Sequence, residues 1–146
     1  AKHFDRKTLK LGETVNKGAL NLTVLPFLSQ NSYDKLLWAC DLNFVRGEDS
    51  WIRALWAAKP FVWQTYKQEE GLHLTKLQAF LDIYEPDSAL STFNQAWLEG
   101  AIHQAHWDAL IAHLPACQKH AQKQTHEFEK LTDLAANLVS FAKNQV

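Results

Sequence analysis

The chain reads as an α/β fold whose parallel sheet is covered by helices on both faces, and three observations carry that expectation. Short strand-like runs recur at residues 21–27, 41–46 and 61–66, each followed by a segment with helical spacing. The runs are largely continuously apolar, the mark of parallel strands buried on both faces. Gly47 then marks an abrupt passage from strand to helix, DLNFVRG running straight into EDSWIRAL.

Taken in order, residues 1–20 are weakly patterned, and LKLGE and NKG read as loop. Residues 21–27 (NLTVLPF) form a strand that ends near Pro26, which has no N–H to give a ladder. Residues 30–40 follow as a helix with Tyr33, Leu36 and Leu37 on one face. The strand at 41–46 leads into a helix over 48–59, whose apolar residues Trp51, Ile52, Leu55 and Trp56 are expected to pack on the sheet. A third strand at 61–66 (FVWQTY) passes through KQEEG into a helix over 73–84. After Glu85-Pro86-Asp87 the strand signals stop, and 91–101, 102–114 and 116–144 read as helices, with a break at Pro115. The last carries an apolar stripe of Phe128, Leu131, Leu134, Leu138 and Phe141.

Composition narrows the function classes. A chain of 146 residues with 47% hydrophobic content is one domain's worth and can bury a core. A net charge of −1 gives no basic footprint, so direct nucleic-acid binding is not expected. No apolar run approaches the roughly 20 residues a membrane helix needs. Cys40 and Cys117 lack CxxC spacing and read as reduced core thiols, which fits a cytoplasmic protein.

The turn at Gly47 is the leading candidate site. A strand that becomes a helix at a glycine points the free N–H groups of the helix at the carboxyl edge of the sheet, where phosphates bind. Glu48 and Asp49 suit the positive end of the helix dipole, and Ser50 can cap or donate a hydroxyl. Ordinary helix-start chemistry accounts for all three equally well. Arg46 is charged at the end of an apolar strand and calls for an anionic partner, either Glu48 or Asp49 or a bound phosphate. Phe27, Gln30 and Tyr33 cluster where the first strand meets its helix; an aromatic there can stack on a base and an amide can read its edge, or both can serve packing. Tyr66 and Gln68 follow the third strand at the same edge, with Glu69 and Glu70 as acceptors for sugar hydroxyls or as solvated loop acids. His103, His106, His113 and His120 with Asp108 suggest a metal site only loosely, because they share no single helical face and no HExxH occurs.

The stretch LPFLSQNSYDKLLWACDLNFVRGEDSWIRALWAAKPFVWQTYKQEEGLHLTKLQAFLDIY, residues 25–84, resembles the C-terminal domain of the bacterial protein-arginine rhamnosyltransferases that modify elongation factor P. Its core is CDLNFVRGEDS followed by AAKPFVWQTYKQEE. The resemblance implies a Rossmann-like half of a GT-B glycosyltransferase that binds dTDP-β-L-rhamnose. The reaction implied is inverting transfer of rhamnose to an arginine of elongation factor P, without a metal or other cofactor. It makes Glu48 essential for activity and assigns donor binding to Phe27, Gln30, Tyr33, Arg46, Gly47, Asp49, Ser50, Tyr66 and Gln68. It also implies that the N-terminal half, with the catalytic base, and at least one further β-α unit lie upstream of Ala1. The chain by itself is then expected to be inactive, with an exposed sheet edge that favours self-association. Another sugar-nucleotide transferase of the same architecture, or a non-catalytic helical interaction module, are the alternatives at this point.

Overall fold

A computed structural model describes residues 8–144, which fall into two units divided after Leu36. The first contains strands β1 (Thr14–Lys17) and β2 (Leu20–Thr23), paired antiparallel in register Thr14 with Thr23. Gly18 opens the two-residue turn between them with φ +59°, a conformation that favours glycine in a tight hairpin. The expected parallel strand at 21–27 and the loop reading of NKG are therefore corrected. Leu20 to Thr23 pairs with its sequence neighbour, which closes a very short loop, and the chain leaves the ladder before Pro26. Helix α1 (Gln30–Ala39) begins at Ser29, whose Oγ accepts the Ser32 N–H at 3.3 Å.

The second unit is built on β3 (Asn43–Arg46) and β4 (Phe61–Gln64), a parallel pair joined through α2 (Gly47–Trp56). Among the described residues the parallel sheet has two strands, not the three expected. In this register Val45 lies beside Trp63 on one face, and Phe44 beside Val62 on the other. The first face stacks into an aromatic cluster with α2 and with α3 (Leu72–Tyr84): Trp51 and Trp63 lie 4.8 Å apart, and Phe80 stands edge-on to both. On the other face, Val62 packs with Leu90 and Phe93 of α4 (Ser88–Glu99) and with Leu110 and Cys117 of α5 (Gln104–Glu129). Helices thus cover both faces, as the continuous apolar strands predict.

One buried side chain ends the sheet. Asn94 of α4 accepts the Trp63 N–H at 2.9 Å and donates to Phe61 O at 3.4 Å and Leu90 O at 3.0 Å. An amide therefore supplies at the outer edge of β4 what a further strand would supply.

The helices differ from expectation in three places. On α2 the buried residues are Gly47, Ala54 and Leu55, with Trp51 half-buried, while Ile52 and Trp56 are exposed. The helix stops at Trp56 because Ala58 turns to φ +54°, and α5 closes that end through Gln118 to Ala58 O and Thr125 to Leu55 O, both 2.8 Å. Pro115 lies inside α5 and does not break it. The break falls instead at residues 130–133, where Asp133 caps α6 (Leu134–Lys143) by accepting the N–H groups of Ala135 and Ala136. The expected stripe is accordingly split: Phe128 is half-buried on α5, and Leu134, Leu138 and Phe141 are exposed on α6.

Candidate functional site

The junction of β3 and α2 forms at the carboxyl end of the parallel pair, and each part of it has a local cause. Gly47 has φ +75°, and a Cβ there would lie 2.8 Å from Cε2 and 3.0 Å from the hydroxyl of Tyr66. Only glycine accepts both that backbone and that neighbour. Trp63 reaches across from β4 and donates its indole N–H to Gly47 O at 3.0 Å, so the turn is held from behind by a buried ring. Arg46 and Gln64 are paired across the sheet, and Tyr66 follows two residues later, which puts Arg46 and Tyr66 together: the guanidinium carbon lies 5.0 Å from the Tyr66 ring centroid.

The N-cap residue of α2, Arg46, makes no side-chain cap bond, and among the described residues no other side chain caps the first N–H groups of the helix. The groups of Glu48 and Asp49 are therefore free to meet an anion, and the dipole adds positive potential. The two carboxylates turn to cations of their own: Asp49 accepts from Arg53 Nε at 3.2 Å within α2, and Glu48 Oε1 lies 3.2 Å from Lys76 Nζ of α3. Arg46 is exposed and meets no carboxylate among the described residues, so of the anionic partners considered for it, neither Glu48 nor Asp49 is the one this fold provides. Ser50 lies half-buried in the first turn, and Gln68 is exposed in the loop after β4, its N–H 3.4 Å from His73 Nδ1.

Arg46, Gly47, Glu48, Asp49, Ser50 and Tyr66 thus share one end of the second unit, with Gln68 two residues beyond. Phe27, Gln30 and Tyr33 belong to the first unit, where Phe27 carries its ring fully in solvent and Tyr33 is half-buried. Sequence reading missed Lys76 and Trp63. Trp63 was visible only as an apolar residue of a strand, and Lys76 as one polar residue of an amphipathic helix.

His103, His106, His113 and His120 each make structural contacts. His103 and His106 form the reciprocal cap of α5, with His103 N–H donated to His106 Nδ1 at 3.2 Å. His120 Nε2 donates to Tyr84 O at 2.7 Å, and His113 lies beside Asp87. Among the described residues no three His, Cys, Asp or Glu side chains gather where a metal ion would sit. Cys40 and Cys117 are both free, and burial pushes the Cys117 thiol up to about 11. Among the described residues no helix is long and apolar enough to cross a membrane.

Comparison with known proteins gives this geometry its context. The family profile described as Elongation-Factor P (EF-P) rhamnosyltransferase EarP matches residues 1–143. A protein-arginine rhamnosyltransferase of Pseudomonas aeruginosa is 46% identical over 140 residues, covering 92% of this chain and 37% of its own length. That of Pseudomonas putida is 42% identical over 145 residues, covering 94% of this chain and 38% of its own. A solved structure from work on EarP-mediated arginine glycosylation of translation elongation factor EF-P superimposes with a TM-score of 0.83 at 37% identity, over 99% of this chain and 48% of that one. The chain thus spans less than half the length of the relatives it matches. On a profile match over nearly its whole length, it belongs to the elongation factor P rhamnosyltransferase (EarP) family.

Proposed function

We propose that this chain is the donor-binding part of an inverting GT-B glycosyltransferase that moves L-rhamnose from dTDP-β-L-rhamnose to an arginine of elongation factor P. The observation that carries the reading is the Gly47 turn: an uncapped helix N-terminus at the carboxyl end of a parallel pair, with Arg46 and Tyr66 beside it. Displacement at the anomeric carbon needs a stabilised leaving diphosphate and an activated nucleophile held in line. The helix N–H groups, the Ser50 hydroxyl and the Arg46 fork meet the diphosphate, and Gln68 takes sugar hydroxyls. The family resemblance also assigns donor contacts to Phe27, Gln30 and Tyr33 of the first unit. Glu48 is the essential carboxylate.

An arginine guanidinium is almost wholly protonated at neutral pH, so a placed carboxylate must activate it. That base is assigned to the part of the family's longer chain that these residues do not span, and the 146-residue chain is therefore an inactive binder. No metal is needed, because main-chain donors and Arg46 supply the charge that a metal would.

Titrating the isotope-labelled chain with dTDP tests this. The expected amide shifts are largest at Glu48, Asp49 and Ser50 and are unchanged by EDTA; largest shifts after Ser88, or loss of binding in EDTA restored by one divalent ion, would overturn the assignment. In the full-length enzyme, Glu48→Ala is expected to abolish the mass increase of one rhamnose on elongation factor P.

A further inference from the structure

Two carboxylates in the first turn of α2 are a difficulty for any anion bound there, since each would repel a diphosphate and each is attracted to the same N–H groups. Asp49 is turned along its own helix by Arg53, one turn on, a pairing that any helix can make. Glu48 has no such local partner. Its cation comes from 28 residues away, on the face of α3 formed by Lys76, Ala79, Phe80 and Ile83. That face, with Trp51 and Trp63, lines an apolar cavity of about 500 Å³, and Glu48 and Lys76 both border it. The aromatic packing of α3 against Trp51 and Trp63 therefore places the backbone of Lys76 within side-chain reach of Glu48.

The geometry points to Lys76 as a positioning residue for Glu48. It holds the carboxylate toward α3, leaving the helix N–H groups open to the donor diphosphate. The inference rests on the donor-binding reading of the Gly47 turn. Lys76 touches neither donor nor acceptor; it acts through Glu48. Without it the carboxylate is released to swing back over the first turn, where it satisfies those N–H groups itself and repels the incoming anion.

The test is dTDP affinity of the full chain, measured by titration calorimetry at low salt, for wild type, Lys76→Met, Lys76→Arg, Glu48→Gln and the double variant Lys76→Met/Glu48→Gln. Lys76→Met is expected to weaken binding about five-fold, the ~1 kcal/mol that unit charges about 4 Å apart exchange across water. Lys76→Arg is expected to restore affinity, and the double variant to match Glu48→Gln, because with no carboxylate to hold the lysine has no effect. A loss from Lys76→Met that persists in the Glu48→Gln background would mean that Lys76 meets the ligand itself, and would overturn the positioning role. So would unchanged affinity in Lys76→Met, while leaving the donor reading intact. No binding by the wild-type chain would remove the donor reading and this inference with it. Lys76 is half-exposed, and thermal melts of each variant separate a folding defect from a binding one.

Discussion

Gly47→Ala is the sharpest perturbation of the candidate site, because its cost divides into two parts that can be measured separately. The backbone at φ +75° is left-handed, which costs an L-residue roughly 1–2 kcal/mol. The new methyl would also stand 2.8 Å from Tyr66 Cε2, closer than a Cβ can remain, so the ring must move. Tyr66 is half-exposed and free to swing outward, but in doing so it leaves Arg46, a stacking contact worth ~0.5–1 kcal/mol at such a site. The expected destabilisation is about 2 kcal/mol in all. Urea unfolding followed by tryptophan fluorescence would read it as a lowered midpoint at unchanged slope. In a Tyr66→Ala background the ring is gone and only the backbone part should survive, so the same substitution should cost about 1 kcal/mol less. An equal cost in both backgrounds would refute the steric account, and a total within about 0.5 kcal/mol of wild type would refute the strain as well.

The remaining predictions concern the scaffold. Asn94→Leu should cost about 2–4 kcal/mol in thermal or urea unfolding, because it strands the buried Trp63 N–H and Phe61 carbonyl; a loss below 1 kcal/mol would show that the amide is not what ends the sheet. Burial opposes ionisation of Asp87, yet the Ala89 N–H and His113 outweigh it and hold its carboxyl below its ordinary value. A depressed carboxyl gives stability above its unfolded value that is lost as pH falls through the folded one, so Asp87→Asn, which keeps the cap, should destabilise at pH 5 and not at pH 2. A penalty equal at both pH values would exclude the charge. Finally, Asn43 N–H donates to Pro60 O, so the main chain of Phe44 and Arg46 faces away from β4, an edge unpaired among the described residues. Concentration-dependent association in sedimentation velocity is expected; a monomer at every concentration would count against an open edge.

Sequence alone determined the part of this protein whose signals are local. The strand, Gly47 and helix at 43–56 can be read directly, because a glycine between an apolar run and a helical period permits few other backbones, and the resemblance at residues 25–84 rests on the same text. Helix α3 and the parallel pairing of β3 with β4 follow from the same spacing. What could not be read depends on partners distant in the chain. Residues 20–23 carry strand propensity whichever neighbour they choose, and the short turn at Gly18 settled them into a hairpin. Pro115 costs a helix interior about 3 kcal/mol, yet α5 runs on because it buries Leu110 before the proline and Cys117, Ala121 and Thr125 after it. Asn94 meets Trp63 across 31 residues and Lys76 meets Glu48 across 28, and no pattern in either segment announces the contact. Tertiary structure therefore decided where the sheet ends, how the Gly47 turn is braced and which cation pairs with Glu48, since each depends on the packing of side chains that periodicity can place on a face but cannot pair.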